Sequence, residues 1–136
     1  MKLIDKIMMK TAYSFSELSY CKRKQVGAVL SYQGRIVACG YNGTILGADN
    51  CCEDNDGNTN EFVLHAEQNI LTFCNREGLK TEGCALYVTM SPCKTCSKLI
   101  ASAGIKEIFY DEEYRDLSGV QFLKDFGLKV EKIQGK

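Results

Sequence analysis

The chain has 136 residues, 45% of them apolar and 25% charged, and its 17 basic and 17 acidic residues cancel. Such a length fits one domain, residues 1–136, able to bury about two-thirds of its unfolded surface. No apolar run approaches the ~18 residues of a membrane span, and a protein gripping a polynucleotide usually carries a basic excess. A small-molecule partner is therefore favoured over a membrane or a stable nucleic-acid complex.

Residues 3–20 have helical periodicity, with Leu3, Ile7, Met8, Ala12, Phe15 and Leu18 near one face. Asp5 falls inside what would be a signal peptide's apolar region, so export is not expected. The eight cysteines are accordingly expected as reduced thiols in a cytoplasmic setting. Val26–Tyr32 and Arg35–Tyr41 are β-branched-rich runs joined by Gln33 and Gly34, which predicts a hairpin. Residues 42–60, rich in glycine, asparagine and acids, have no period and form a long loop of the length that usually carries function or is disordered.

Glu61–Arg76 looks helical, with Ile70, Leu71, Phe73 and Cys74 apolar and Gly78 as a stop. A strand at Cys84–Met90, a helix at Pro92–Ala103 ended by Gly104, and a strand at Ile105–Tyr110 follow. A helix near 116–126 and a strand at Leu128–Ile133 complete the chain. Strands alternating with helices produce parallel neighbours covered on both faces. The expected architecture is three-layer α/β/α around a five-stranded mixed sheet.

His65 is the only histidine, and it opens the triplet His65, Ala66, Glu67. Downstream stand Ser91, Pro92, Cys93 and Cys96. A lone Cys-x-x-Cys reads equally as a redox pair or half of a structural zinc knuckle. Neither reading uses Pro92 or Glu67. His-x-Glu followed by Pro-Cys-x-x-Cys matches the general signature of zinc nucleobase deaminases. Three protein ligands leave a fourth position open, which separates a catalytic zinc from a structural one.

Local geometry constrains how these residues meet. Ser91 suits an N-cap and Pro92 a first helical position, placing Cys93 and Cys96 on one side of the first turns. His65 and Glu67, two apart, would diverge within a helix. Both reach one metal only if the helix begins near Ala66, so two helix N-termini should point at a single zinc. Glu67 stays off the metal as the general acid/base, while zinc lowers the pKa of water toward neutrality.

On these residues the chain resembles the cytidine deaminase superfamily, and within it the deoxycytidylate (dCMP) deaminases, over about residues 3–133. The narrower resemblance rests on Cys21–Ala28, Gly40–Gly43, paired Cys51 and Cys52 in a long loop, and the gap between Asn42 and His65. It implies the cytidine deaminase-like fold with sheet order 2-1-3-4-5. It also implies zinc-dependent hydrolysis of dCMP to dUMP and ammonia, feeding thymidylate synthesis, with His65, Cys93 and Cys96 as ligands.

By the same resemblance, Asn42 meets the deoxyribose hydroxyl, the Ala66 amide the base carbonyl, and the backbone carbonyl near Ser91 the exocyclic amine. Tyr110, at the end of a parallel strand, is either near the nucleotide or a core residue. Lys22, Arg23 and Lys24 are either a solvated edge or, through Arg23, a phosphate ligand; Arg115 is a second candidate. A homohexamer, activated by dCTP and inhibited by dTTP with Mg²⁺ at Gly40, Tyr41, Asn42 and Gly43, is implied as well.

Some relatives hold a second zinc at positions equivalent to Cys21 and one of Cys51 and Cys52, helped by another histidine. That histidine is missing here. The alternatives are a site built from Cys21, Cys51, Cys52 and an acid such as Glu61, or packed thiols. Two rival functions share the metal signature: a polynucleotide-editing deaminase (tRNA adenosine or single-stranded DNA cytosine) and a non-catalytic nucleotide-binding relative.

Overall fold

The computed structural model describes residues 2–136. In chain order they form α1 (Leu3–Ser16), β1 (Gly27–Tyr32), β2 (Arg35–Tyr41), β3 (Gly43–Thr44), β4 (Val63–Leu64) and α2 (Ala66–Glu77). There follow β5 (Ala85–Met90), α3 (Lys94–Ser102), β6 (Glu107–Glu112), α4 (Ser118–Asp125) and β7 (Lys129–Lys132).

The hairpin forms because Gln33 and Gly34 take φ of 50° and 77°, and turns with two positive φ match the twist of the flanking strands. The main sheet runs β2-β1-β5-β6-β7. Strand β1 is antiparallel to both neighbours, while β5, β6 and β7 are parallel. Counted over the sheet's own strands this is the expected 2-1-3-4-5 order.

Side chains alternate across a strand, and that period sorts the core into two layers. Ala28, Leu30, Leu86, Val88 and Ile108 meet Ile70 of α2, Ile100 of α3 and Leu123 of α4. Val29, Tyr87 and Phe109 point the other way, onto Met8, Met9 and Ala12 of α1. The Tyr87 and Phe109 rings stack with centroids 4.7 Å apart.

Helix α1 departs from expectation twice. It ends at Ser16, and its buried side is Met8, Met9, Ala12 and Ser16. Of the expected apolar stripe, Met8 and Ala12 face the core, while Leu3, Ile7 and Leu18 are exposed. The reason is the fit to β1: Gly27 passes so near the backbone at Ala12 and Ser16 that a Cβ there would collide with it.

The long loop is also less irregular than its composition suggests. Gly43 and Thr44 pair with Leu64 and Val63, and Glu53 bridges Thr59. Val63–Leu64 is therefore extended, not the start of a helix over Glu61–Arg76. Cys21 and Cys52 are joined as a disulfide with Cα atoms 5.1 Å apart, correcting the expectation of thiols there. That spacing lies within the range a disulfide spans. Cys51 points elsewhere, its thiol 2.9 Å from the Glu53 carbonyl, so Cys21, Cys51, Cys52 and Glu61 do not form a second metal site. Cys39, Cys74 and Cys84 are free thiols, the last two buried in the core.

Candidate active site

Four chain segments meet at one end of the sheet. Strand β1 starts there, and β2, β5 and β6 finish there, because β1 alone runs opposite to its neighbours. This delivers Arg23 and Lys24 before β1, Asn42 after β2, Ser91 and Cys93 after β5, and Tyr114 and Arg115 after β6. Ligand sites in parallel sheets favour the carboxyl ends of strands for this reason. These residues line a cavity of about 380 Å³ with His65, Ala66, Glu67 and Glu53.

Helix α2 begins at Ala66 with His65 as its extended N-cap, φ −68° and ψ 159°. The His65 N–H donates to the Gln68 side chain at 2.8 Å. His65 and Glu67 therefore share one side of the helix start, as the two-residue spacing demanded. Helix α3 begins later than expected: Cys93 is its N-cap, and Cys96 N–H donates to Cys93 Sγ at 3.4 Å. Ser91 and Pro92 precede the helix. The Ser91 hydroxyl instead accepts from Tyr114 N–H at 2.7 Å, tying the β5 exit to the β6 exit.

His65 Nδ1 lies 3.2 Å from Cys96 Sγ and 3.6 Å from Cys93 Sγ. The three ligand atoms fall within 4.8 Å of one another. One imidazole and two thiols at this separation suit a tetrahedral zinc with one position left open. Both helix N-termini bring positive partial charge to the thiols. Hydrogen bonds from Cys96 and then His65 hold Cys93 down to about 4. The Cys93 contact, with burial, pushes Cys96 up.

Glu67 is 4% exposed. Burial raises its carboxyl to about 7, partly opposed by its own backbone amide and by His65. A carboxylate poised near neutrality is suited to take and return protons. The site's placement also depends on α4. A Cβ on Gly119 would stand 2.7 Å from the Cys93 carbonyl carbon and closer still to Pro92, so only glycine lets α4 pack against the start of α3.

The cavity gathers most of the expected substrate residues: Arg23, Asn42, Ala66, Ser91 and Arg115 all line it. Asn42 uses its side chain structurally too, accepting from Val26 N–H at 2.9 Å and donating to the Lys24 carbonyl at 2.8 Å. Tyr110 is the exception. It is 6% exposed, packed in the layer under α2, α3 and α4, and it is not among the residues that line the cavity. Gly40 abuts Ile70, and the Tyr41 carbonyl accepts from Asn69 at 2.8 Å; of Gly40–Gly43, Asn42 alone lines the cavity. Lys24 is paired with Glu112 at 2.8 Å.

Two lining residues carried little sequence signal. Tyr114 stands beside Arg115, and an aromatic next to a candidate phosphate ligand after a parallel strand is the available clue. Glu53 had none, being one acid among several in an aperiodic loop.

Comparison with known proteins agrees with this geometry. Residues 3–112 match the family described as the cytidine and deoxycytidylate deaminase zinc-binding region. The chain is 34% identical to the deoxycytidylate deaminase of Enterobacteria phage T4 over 148 residues, covering 79% of this chain and 77% of that one. It is 36% identical to the deoxycytidylate deaminase of Mycobacterium phage D29 over 123 residues, covering 80% and 94%. A crystal structure of the dCMP deaminase from cyanophage S-TIM5, in complex with dCMP and dUMP, superposes with a TM-score of 0.94 at 48% identity, covering 98% of this chain and 99% of the other. With the metal-binding triplet, the buried glutamate and these matches in agreement, the chain belongs to the cytidine and deoxycytidylate deaminase family.

Proposed function

We propose that this enzyme converts dCMP and water to dUMP and ammonia in a single-domain active site, supplying dUMP for thymidylate synthesis. The observation that carries the reading is the S-TIM5 enzyme, crystallised with dCMP and dUMP and alike over nearly the whole chain. His65, Cys93 and Cys96 would hold the zinc. When bound, it supplies the Lewis acidity that makes water a nucleophile near neutral pH. Glu67 then accepts a proton from the attacking water and gives it to the ring nitrogen beside the amino-bearing carbon. As the C–N bond breaks, Glu67 takes the proton of the newly added hydroxyl and delivers it to the departing amine, leaving a carbonyl and ammonia. Burial favours this shuttle by raising the Glu67 carboxyl above the ordinary carboxylate range, which eases its protonation.

Recognition falls to the rest of the cavity. Asn42 would meet the sugar hydroxyl, the Ala66 amide and the backbone at Ser91 the base, and Arg23 and Arg115 the 5′-phosphate. Lys24 is less available, being paired with Glu112. Zero net charge and the absence of tryptophan support a nucleotide over a polynucleotide, which would use a basic groove and stacking aromatics. Comparing turnover of dCMP, deoxycytidine and a tRNA anticodon arm by the zinc-loaded enzyme tests the reading. Deamination of dCMP is expected; activity confined to the polynucleotide overturns it.

The family resemblance extends the proposal to a cytoplasmic homohexamer that dCTP activates and dTTP inhibits, with Mg²⁺, at Gly40–Gly43. Support comes from chain order: that stretch leads directly into the loop whose Glu53, Thr59 and Val63 line the cavity. A ligand preferring one arrangement of the loop would alter the pocket. Sedimentation and kinetics with each triphosphate measure both points.

A further inference from the structure

Glu53 stands in the same cavity as Arg23 and Arg115, yet a negative side chain beside a phosphate site should repel the substrate. Its hydrogen bonds explain why it is there. The carboxylate accepts from the backbone N–H of Lys22 at 3.1 and 3.3 Å and of Arg23 at 3.3 Å. Cys52, the residue before it, is bonded to Cys21, the residue before Lys22. Two consecutive loop residues thus hold three consecutive residues ahead of β1. Lys22, Arg23 and Lys24 belong to no helix or strand and are exposed. Asn42 holds the Lys24 carbonyl on the other side of the arginine, while the backbone N–H groups of Lys22 and Arg23 are fixed by Glu53.

We propose that Glu53 is a positioning residue for nucleotide binding: it fixes the backbone that carries Arg23 so that the guanidinium meets the 5′-phosphate. Ionised acceptors make stronger hydrogen bonds to amides than neutral ones. A carboxylate bridging two successive N–H groups fixes the direction of the chain between them. Its charge is partly spent on those amides, which lessens its repulsion of the substrate. This inference rests on the reading of Arg23 and Arg115 as the phosphate end of the site.

The test uses the zinc-loaded enzyme and its Glu53→Ala, Glu53→Gln, Arg23→Ala and Arg115→Ala variants. Each is assayed for the KM of dCMP and for inhibition by dUMP and by deoxyuridine, which lacks the phosphate. In Glu53→Ala the KM of dCMP and the inhibition constant of dUMP should rise ~tenfold, the effect of about 1.4 kcal/mol. Deoxyuridine inhibition should change much less, and Glu53→Gln, which keeps an acceptor, should recover most of the loss. An unchanged or lowered KM in Glu53→Ala, or equal weakening of dUMP and deoxyuridine, overturns the inference. If neither arginine variant weakens dUMP relative to deoxyuridine, the phosphate reading fails and takes the inference with it. If they do while Glu53→Ala does not, only the role of Glu53 is lost.

Discussion

The two sides of the cavity are built differently. On one side His65, Glu67, Cys93 and Cys96 sit on the first residues of α2 and α3, helices whose Ile70 and Ile100 are buried against the sheet. On the other, Glu53 and Thr59 hang from a loop held by a two-residue strand pair, one isolated bridge and one disulfide. The residues proposed for chemistry are thus set by the core, as are Ala66 and Ser91, while Glu53 and Thr59 are set by tethers. Chemistry needs geometry fixed to a fraction of an ångström, whereas a loop that must admit and release a nucleotide draws on lower local stability.

The division of labour can be broken from the core side first. Cys96→Ser should remove zinc and with it essentially all turnover, with metal content by atomic absorption falling from about one per chain. Glu67→Gln should keep the metal yet lower kcat by roughly 10²–10⁴-fold, the usual worth of a positioned proton carrier. Loss of zinc in that variant would show that Glu67 was a ligand instead.

On the tethered side, the double variant Cys21→Ser, Cys52→Ser avoids exchange with Cys51. Removing a cross-link over this separation should cost about 2–4 kcal/mol in thermal or denaturant unfolding. It should raise the KM of dCMP more than it lowers kcat. A rise in KM matched by an equal fall in kcat would mean that the two sides are one unit. Gly119→Ala should destabilise by about 1–3 kcal/mol through overpacking and should weaken zinc binding, since the added carbon presses on Cys93. The smallest effect belongs to Tyr110→Phe, about 0.5 kcal/mol or less by unfolding, with dCMP kinetics unchanged; a large KM effect would return Tyr110 to the site.

The same contrast governs what could be read from sequence. The five-stranded mixed sheet was legible because strand alternation is local and periodic, whereas its strand order came from the family resemblance and the convergence of His65, Cys93 and Cys96 from the match to the deaminase signature. The start of α2 at Ala66 followed from requiring His65 and Glu67 to face one point. Helix α3 started later than Ser91 and Pro92 suggested because Cys93 itself takes the capping role, and a thiol is not an ordinary cap. Helix α1 was misjudged by face, since Leu3, Ile7 and Leu18 share a stripe whose orientation is fixed only by contact with Gly27. The meeting of Cys21 with the loop was implied only by the resemblance, as a metal site and not as a disulfide, and Glu53 was invisible, because one acid among several in an aperiodic loop leaves no pattern.

Having a single imidazole in the whole chain gives the protein a built-in spectroscopic reporter. Any aromatic proton or nitrogen resonance of histidine arises from residue 65 and nowhere else, 3.2 Å from a sulfur. A one-dimensional spectrum can therefore follow occupancy, tautomer and inhibitor arrival without isotopic assignment.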